Sequence, residues 1–227
     1  MATYNGEKYI KEQIDSILYQ LSDNDEIIIS DDGSSDKTIE ILRSYCDNRI
    51  RLYQNKKNLK GIIQNVENAL RQVNGEYIFL CDQDDVWLPE KVRIIMSELK
   101  TADLVYTNAW IVDEALSVQR LLYVKPHLGF FSNLIVNNFA GATMAFRKQL
   151  LVKALPFPAR IPMHDQWLGL LATLYGKTAF ITEPMILYRR HSSNATGTGE
   201  KSEFGFIQQL KWRINIVFAL LSHFFNK

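Results

Sequence analysis

Short apolar runs alternate with amphipathic stretches of helical period through the first hundred residues, and this alternation restricts the chain to an α/β fold with a mostly parallel central sheet flanked by helices. Residues 26–31 read E-I-I-I-S-D, an apolar run ending in carboxylates. Residues 50–54, 77–81 and 104–112 are the next strand candidates. Between them, Ile10, Ile14, Ile17, Leu18 and Leu21 fall on one helical face. Ser35 is placed to cap a helix over residues 36–45, residues 62–73 form a helix ended by Asn74-Gly75, and Pro89 opens a helix running to Leu99. The opening M-A-T-Y-N-G reads as the end of a strand whose beginning is absent, so a clipped first strand is expected.

The second half is less regular. Residues 130–138 and 165–175 read as helices, and 178–190 as one or two strands. A small-residue stretch at 141–147 enters a strand, residues 192–202 form a Gly/Ser/Thr-rich loop, and 204–225 are apolar with scattered basic residues.

With 227 residues the chain can bury a substantial core as one large domain. Its 26 Lys and Arg against 25 Asp and Glu give a net charge of +1, which carries no nucleic-acid signature. Cys46 and Cys81 are read as buried free thiols in a reducing compartment. Neither a secretory leader nor an apolar run long enough to span a bilayer is evident, so the expected location is the cytoplasm.

In an open α/β sheet, ligands bind beyond the carboxyl ends of the strands. Three polar segments fall there: Thr3-Tyr4-Asn5, Asp31-Asp32-Gly33-Ser34-Ser35, and Asp82-Gln83-Asp84-Asp85. Taken alone, D-D-G-S-S is also a good turn and helix cap, and D-Q-D-D could be a solvated acidic turn. Their joint occurrence at successive strand ends makes the case for a site. Carboxylates brought together repel unless a cation balances them, and oxygen ligands favour Mn²⁺ or Mg²⁺ shared with substrate phosphates.

The segments A-T-Y-N-G from Ala2, D-D-G-S-S-D-K-T from Asp31 and D-Q-D-D-V-W-L-P from Asp82 together resemble the family 2 inverting glycosyltransferases of the GT-A fold. H-D-Q-W from His164 and Y-R-R-H-S-S-N from Tyr188 resemble the bacterial rhamnosyltransferase-like members of surface polysaccharide assembly. The resemblance covers residues 1–195. It implies a Rossmann-like nucleotide-binding half (1–112) and an acceptor-binding, catalytic half (113–203) in a single domain, followed by a helix at 204–227. It implies a nucleotide-diphosphate sugar as donor and a saccharide or lipid-linked acceptor. Thr3, Tyr4 and Asn5 would line the nucleotide pocket, and Asp32 would bond the base or ribose. Asp84 would be the direct metal ligand, with Asp82 facing the ribose or metal and Asp85 orienting the loop. Asp165 would be the catalytic base, His191 would complete the metal or diphosphate site, and the Gly141-Ala-Thr-Met segment would lie under the acceptor sugar.

Processive members carry a Gln-x-x-Arg-Trp element after the base. Here Gln166 and Trp167 follow Asp165 directly, and Q-Q-L-K-W-R from Gln208 has other spacing, so a single-addition enzyme is expected. Trp167 is either a sugar platform or core. In the tail, Phe206, Ile207, Leu210, Ile214, Val217, Leu221 and Phe224 form an apolar stripe, with Lys211, Arg213 and Lys227 nearby. That stripe either packs on the domain or a second subunit, or touches the inner membrane face. Two other functions fit less well. A sugar-phosphate nucleotidyltransferase needs a Gly-rich basic loop near the start, and a non-catalytic sugar-nucleotide-binding module has no need of Asp84, Asp165 and His191 together.

Overall fold

The run Ile27–Asp31 is buried at every position, as expected of a strand covered on both faces. It is strand β2, and in this computed structural model it lies between β1 (Ala2–Thr3) and β3 (Ile50–Gln54) in a wholly parallel three-stranded sheet. The structure describes residues 1–55, 61–124, 129–192, 194 and 205–225. Helix α1 (Ile10–Leu18) buries Ile10, Ile14 and Ile17, the face that the period indicated. Helix α2 (Thr38–Ser44) begins later than expected, and Ser35 does not cap it. Its N-cap is Lys37, which makes no side-chain cap; Asp36 Oδ1 accepts from the Thr38 amide at 3.0 Å, and the Ser35 amide donates to Asn5 Oδ1. Helix α3 (Ile62–Leu70) packs on β1 and β2.

The second sheet has the order β4–β8–β6–β9–β5. Its strands are β4 (Tyr77–Phe79), β5 (Val86–Trp87), β6 (Leu104–Val112), β8 (Met144–Arg147) and β9 (Thr178–Arg189), with β7 (Val118–Leu121) paired to β6. Here β6 and β9 run parallel, whereas β8 lies antiparallel between β4 and β6. Parallel pairing thus organises the first sheet and the β6–β9 core, and the second sheet is mixed, with β5 and β8 antiparallel to their neighbours. Periodicity reports which residues are buried and not which way a strand runs, so this arrangement was not readable beforehand.

Helix α4 (Lys91–Glu98) starts two residues after Pro89 and packs near β9. Helices α5 (Phe130–Ile135), α6 (Gln149–Ala154) and α7 (His164–Tyr175) cover the second sheet's other side. A 3₁₀ turn (Gly141–Thr143) leads into β8. Trp167 is core: it is 1% exposed and its Nε1 donates to the Ala154 carbonyl at 3.0 Å. Of the two cysteines, Cys46 is exposed, which corrects the expectation of burial; it sits at positive φ beyond α2, pointing away from the apolar run that precedes it. Cys81 is a partly buried free thiol.

Helix α8 (Phe206–Phe225) packs through Ile216, Ala219 and Leu220, a different face from the expected stripe. Ile207, Leu210, Ile214, Val217, Leu221 and Phe224 are all exposed, Ile207 at 70%. The loop expected at 192–202 lies outside the described residues beyond Ser192 and Asn194, as do Phe204, the Phe206 side chain and Lys227.

Packing between α7 and the segment before β8 is tight at one glycine. A Cβ on Gly169 would lie 2.2 Å from the Phe139 ring. Gly169→Ala is therefore expected to lose about 1–3 kcal/mol of stability, despite alanine's better helix propensity. Urea unfolding of the two chains measures this.

Candidate active site

β1 ends at Thr3, and the chain then turns across the carboxyl ends of the first sheet. The buried Thr3 hydroxyl donates to Asp31 Oδ2 at 3.1 Å. Asn5 adopts φ +48°, a left-handed conformation that asparagine tolerates. From there its amide donates to Ser34 Oγ at 2.9 Å and its Oδ1 accepts from the Ser35 amide at 2.9 Å. The Asp31 carboxylate closes the D-D-G-S-S turn, accepting from the amides of Gly33 and Ser34 at 2.9 and 2.8 Å. Asp31 is thus structural, as the turn chemistry suggested. Asp32 points the other way. It accepts from Asn55 Nδ2 at 3.0 Å and from the Gly61 amide at 2.9 Å, tying the residue after β3 to the residue before α3.

The first and third segments meet through Gln83. Its Oε1 accepts from the Tyr4 amide and its Nε2 donates to the Tyr4 carbonyl, both at 3.0 Å. A side-chain amide thereby imitates a strand partner for exposed Tyr4. The contact explains Gly6, where a Cβ would lie 2.4 Å from Gln83 Oε1.

Asp82, Asp84 and Asp85 present carboxylate oxygens all within 4.8 Å of one another. Burial, then the charges of Asp84 and Asp165, push the Asp82 carboxyl up to about 7. Burial and the charges of Asp82 and Asp84 raise Asp85 well above the carboxylate range. Asp85 Oδ1 accepts from the Arg189 amide at 3.0 Å, while its Oδ2 is buried without a hydrogen-bond partner. Three crowded carboxylates with one orphaned buried oxygen fit a hard divalent cation. His191 Nε2 lies 2.8 Å from Asp84 Oδ2, and Asn194 Nδ2 donates to the same oxygen at 3.0 Å. His191 therefore adjoins the cluster through Asp84 and stacks on the Tyr9 ring at 4.7 Å.

Asp165 sits in the first turn of α7, 6% exposed. Its Oδ1 accepts from Asn137 Nδ2 at 3.0 Å and from the Gln166 amide at 2.6 Å, and its Oδ2 accepts from the Gly141 amide at 3.1 Å. The last bond ties Asp165 to the Gly141-Ala-Thr-Met segment. His164 backs the same turn; a Cβ on Gly141 would lie 2.9 Å from its Nε2. Burial lowers the His164 pKa, against the raising influence of Asp165. The Asp165 charge is among the causes that raise Asp82, so the two carboxylates lie within electrostatic reach of each other.

Sequence reading passed over Arg189 and Lys91. Arg189 is 3% exposed, and its Nε and Nη1 donate to the carbonyls of Asp84 and Glu114, each at 2.7 Å. Its Nη2 pairs with Glu12 on α1. Lys91 is fully buried at the start of α4; its Nζ donates to the Ala142 carbonyl at 3.0 Å and lies 4.6 Å over the Trp87 ring. Burial lowers its pKa to about 7, against the raising influence of Cys81, Asp85 and Asp82. The available signals were the first arginine of Y-R-R-H and a lysine four residues before the core position Ile95.

This fold and site define a glycosyltransferase of the GT-A class. The chain superposes on Staphylococcus aureus TarS residues 1–349 in complex with UDP-GlcNAc with TM-score 0.72 and 20% identity, over 96% of this chain and 65% of that one. A mannosyltransferase from Pyrobaculum calidifontis in complex with GDP-Man and Mn²⁺ gives TM-score 0.61 and 21% identity, over 99% and 61%. Residues 1–155 match the model of glycosyl transferase family 2, and the chain belongs to that family. Among curated relatives, the dTDP-rhamnosyl transferase RfbG of Shigella flexneri is 28% identical over 222 residues, covering 87% of this chain and 73% of that protein. The UDP-Glc:alpha-D-GlcNAc-diphosphoundecaprenol beta-1,3-glucosyltransferase WfgD of Escherichia coli is 29% identical over 160 residues, 70% of this chain and 62% of that protein.

The raised Asp82 carboxyl has a measurable consequence. Its folded pKa, about 7, exceeds the unfolded value near 3.8, so its stabilising contribution is complete below the unfolded value and is lost as pH rises through 7. Without metal, wild type should therefore lose stability relative to Asp82→Asn between pH 4 and 7, and Mn²⁺ should restore it at pH 7. Parallel thermal melts of both chains across that range test the slope.

Proposed function

We propose that the chain transfers a sugar from a nucleotide-diphosphate donor to a hydroxyl of a saccharide or lipid-linked acceptor with inversion, in bacterial cell-surface polysaccharide synthesis. The observation that carries this reading is the Asp82–Asp84–Asp85 cluster facing the separately held carboxylate of Asp165. The names of RfbG and WfgD support the pathway class. Family membership favours sugar transfer over nucleotidyl transfer or binding alone.

In this reading Thr3, Tyr4, Asn5 and Asp32 line the nucleotide side. Asp82, Asp84 and Asp85 hold a divalent cation, Mn²⁺ or Mg²⁺, with His191 against Asp84. Such a cation offsets charge developing on the leaving diphosphate. Asp165 receives the proton of the attacking hydroxyl. A carboxylate offers roughly four lone-pair positions, and three donors occupy Asp165, which leaves one on Oδ2 for the acceptor. The Gly141 amide and Asn137 fix the orientation of that lone pair. Positioned proton transfer is worth about 10²–10⁴-fold in rate.

Asp165→Asn is expected to lower transfer by about 10²–10⁴-fold while donor binding with Mn²⁺ persists. Asp84→Ala is expected to abolish the Mn²⁺-dependent part of donor binding. Calorimetry with UDP, GDP and dTDP nucleotides, paired with turnover assays, separates the two effects. Near-normal turnover in Asp165→Asn removes Asp165 from the mechanism, and a product of retained configuration removes the single displacement.

We also infer that α8 rests on an anionic membrane surface on the cytoplasmic side. Its exposed stripe lies beside Lys211 and Arg213, and residues 206–225 contain no Asp or Glu. No helix among the described residues is long and apolar enough to cross a bilayer. Changing Ile214, Leu221 and Phe224 together to Ser should lower sedimentation with phosphatidylglycerol vesicles at least tenfold. Unchanged vesicle binding with loss of a dimer would assign the stripe to a second subunit instead.

A further inference from the structure

The net charge of +1 hides an uneven distribution. Residues 1–114 hold 21 of the 25 acidic side chains, and between residues 115 and 199 the only carboxylate side chains are those of Asp165 and Glu183. Asp165 belongs to the site already described and Glu183 sits on β9, so helices α5, α6 and α8 carry no acid at all. Charge segregated in this way within one chain favours an anionic surface as partner.

On that part of the molecule a groove of about 560 Å³ runs between α8 and the α6–α7 connection, with buried Trp167 at its base. No carboxylate lines it. The α6–α7 side contributes two cations, Lys153 and exposed Arg160. The Lys153 Nζ lies 4.3 Å over the Tyr175 ring. The α8 side contributes Asn215, Phe218 and Ser222, whose spacing puts them on one helical face. That face lies between the buried one of Ile216, Ala219 and Leu220 and the exposed apolar stripe. Lys211 stands on it one turn before Asn215 and is exposed. Exposed Phe218 follows Ile214 by four residues and precedes Leu221 by three, so it joins the groove to the stripe. Across from it, Val152 of α6 is 82% exposed. The groove is thus cationic and polar inside and apolar at both rims.

We propose that this groove seats the headgroup of one anionic phospholipid, its phosphodiester against Lys153 and Arg160 and its acyl chains running out past Val152 and Phe218. Two cations with no acid among the lining select an anion, and a guanidinium fits two phosphate oxygens at once. The apolar rims select an anion that carries hydrocarbon, since a soluble phosphate ester gains nothing from Val152 or Phe218. The volume is far more than a bare phosphate fills and lies within the roughly 300–1,000 Å³ of small-molecule sites. Depth agrees as well. An interfacial helix sinks its apolar face about 5–10 Å, to the boundary of headgroups and acyl chains, and the groove face adjoins that stripe on the same helix. The choice of a lipid over a soluble anion rests on the membrane reading of α8; the anion-binding groove itself does not.

The test titrates the full chain in a calorimeter with dihexanoyl phosphatidylglycerol below its micelle concentration. Saturable one-to-one binding is expected. Dihexanoyl phosphatidylcholine and the chain-free headgroup glycerophosphoglycerol should each bind about tenfold or more weakly, the first for want of net charge and the second for want of hydrocarbon. Lys153→Ala combined with Arg160→Ala should weaken the phosphatidylglycerol complex about tenfold or more at unchanged Tm. Ser222→Glu, which places a carboxylate in the groove, should do the same by repulsion. Absence of saturable binding, or wild-type affinity in both groove variants, overturns the proposal. Equal affinity for phosphatidylcholine overturns it too, and equal affinity for glycerophosphoglycerol assigns the groove to soluble phosphate esters instead. The stripe variant of Ile214, Leu221 and Phe224 should lose vesicle binding yet keep the monomeric lipid, so failure of the membrane reading and failure of the groove are read separately.

Discussion

The buried guanidinium of Arg189 is the constraint on which the site depends. It arrives at the end of β9 and binds the Asp84 carbonyl, the turn at Glu114 and Glu12 of α1, while its own amide holds Asp85. Removing an arginine from water is costly unless its donors are satisfied, and here carbonyls and one carboxylate satisfy them. The arrangement binds the main chain of the acidic loop and leaves the Asp82 and Asp84 carboxylates free of a guanidinium. Fixing backbone with positive charge while leaving carboxylates crowded is what a cation site requires. Lys91 acts similarly, tying α4 to Ala142 of the 3₁₀ turn before β8.

Much of the first half was legible because burial on both faces leaves unbroken apolar runs. Residues 50–54 and 104–112 became strands with the expected bounds. Of the Asp-rich ends of such runs, residues 82–85 bring three carboxylates together, whereas Asp31 closes its own turn and Asp32 holds neighbouring backbone. The second half was not legible in topology. β8 is only Met144–Arg147, and its antiparallel insertion between β4 and β6 depends on long-range pairing that no local period encodes.

The tail shows how a correct local pattern can mislead. Its stripe was read either as a packing face or as a membrane-facing one, and α8 has apolar residues around much of its circumference. Ile216, Ala219 and Leu220 fit against the domain. The Trp167 and Tyr175 rings lie edge-on to His223 at 5.7 Å. Bulky Phe224 and Ile207 are left outside. Both faces carry Ile and Leu, so hydrophobicity alone does not tell them apart. Gln83 was missed for a related reason: its role is to imitate a strand partner for Tyr4, a backbone function that side-chain chemistry does not advertise.

The two carboxylate groups are held by different physics, and this separates their tasks. Asp82 and Asp85 are crowded, and their raised pKa values record burial together with mutual repulsion. Such groups are under-compensated and gain by receiving positive charge. Asp165 is instead held by three donors, two of them main-chain amides from α7 and the segment before β8. A carboxylate fixed in this way cannot swing toward the acidic cluster without breaking bonds to Gly141 and Asn137. Its remaining lone pair belongs to Oδ2, the oxygen bonded to Gly141, so it is the segment before β8 that positions it. A small displacement of Gly141 would therefore move the Asp165 carboxylate with it, and under the proposed function this couples acceptor seating to proton transfer within one hydrogen bond.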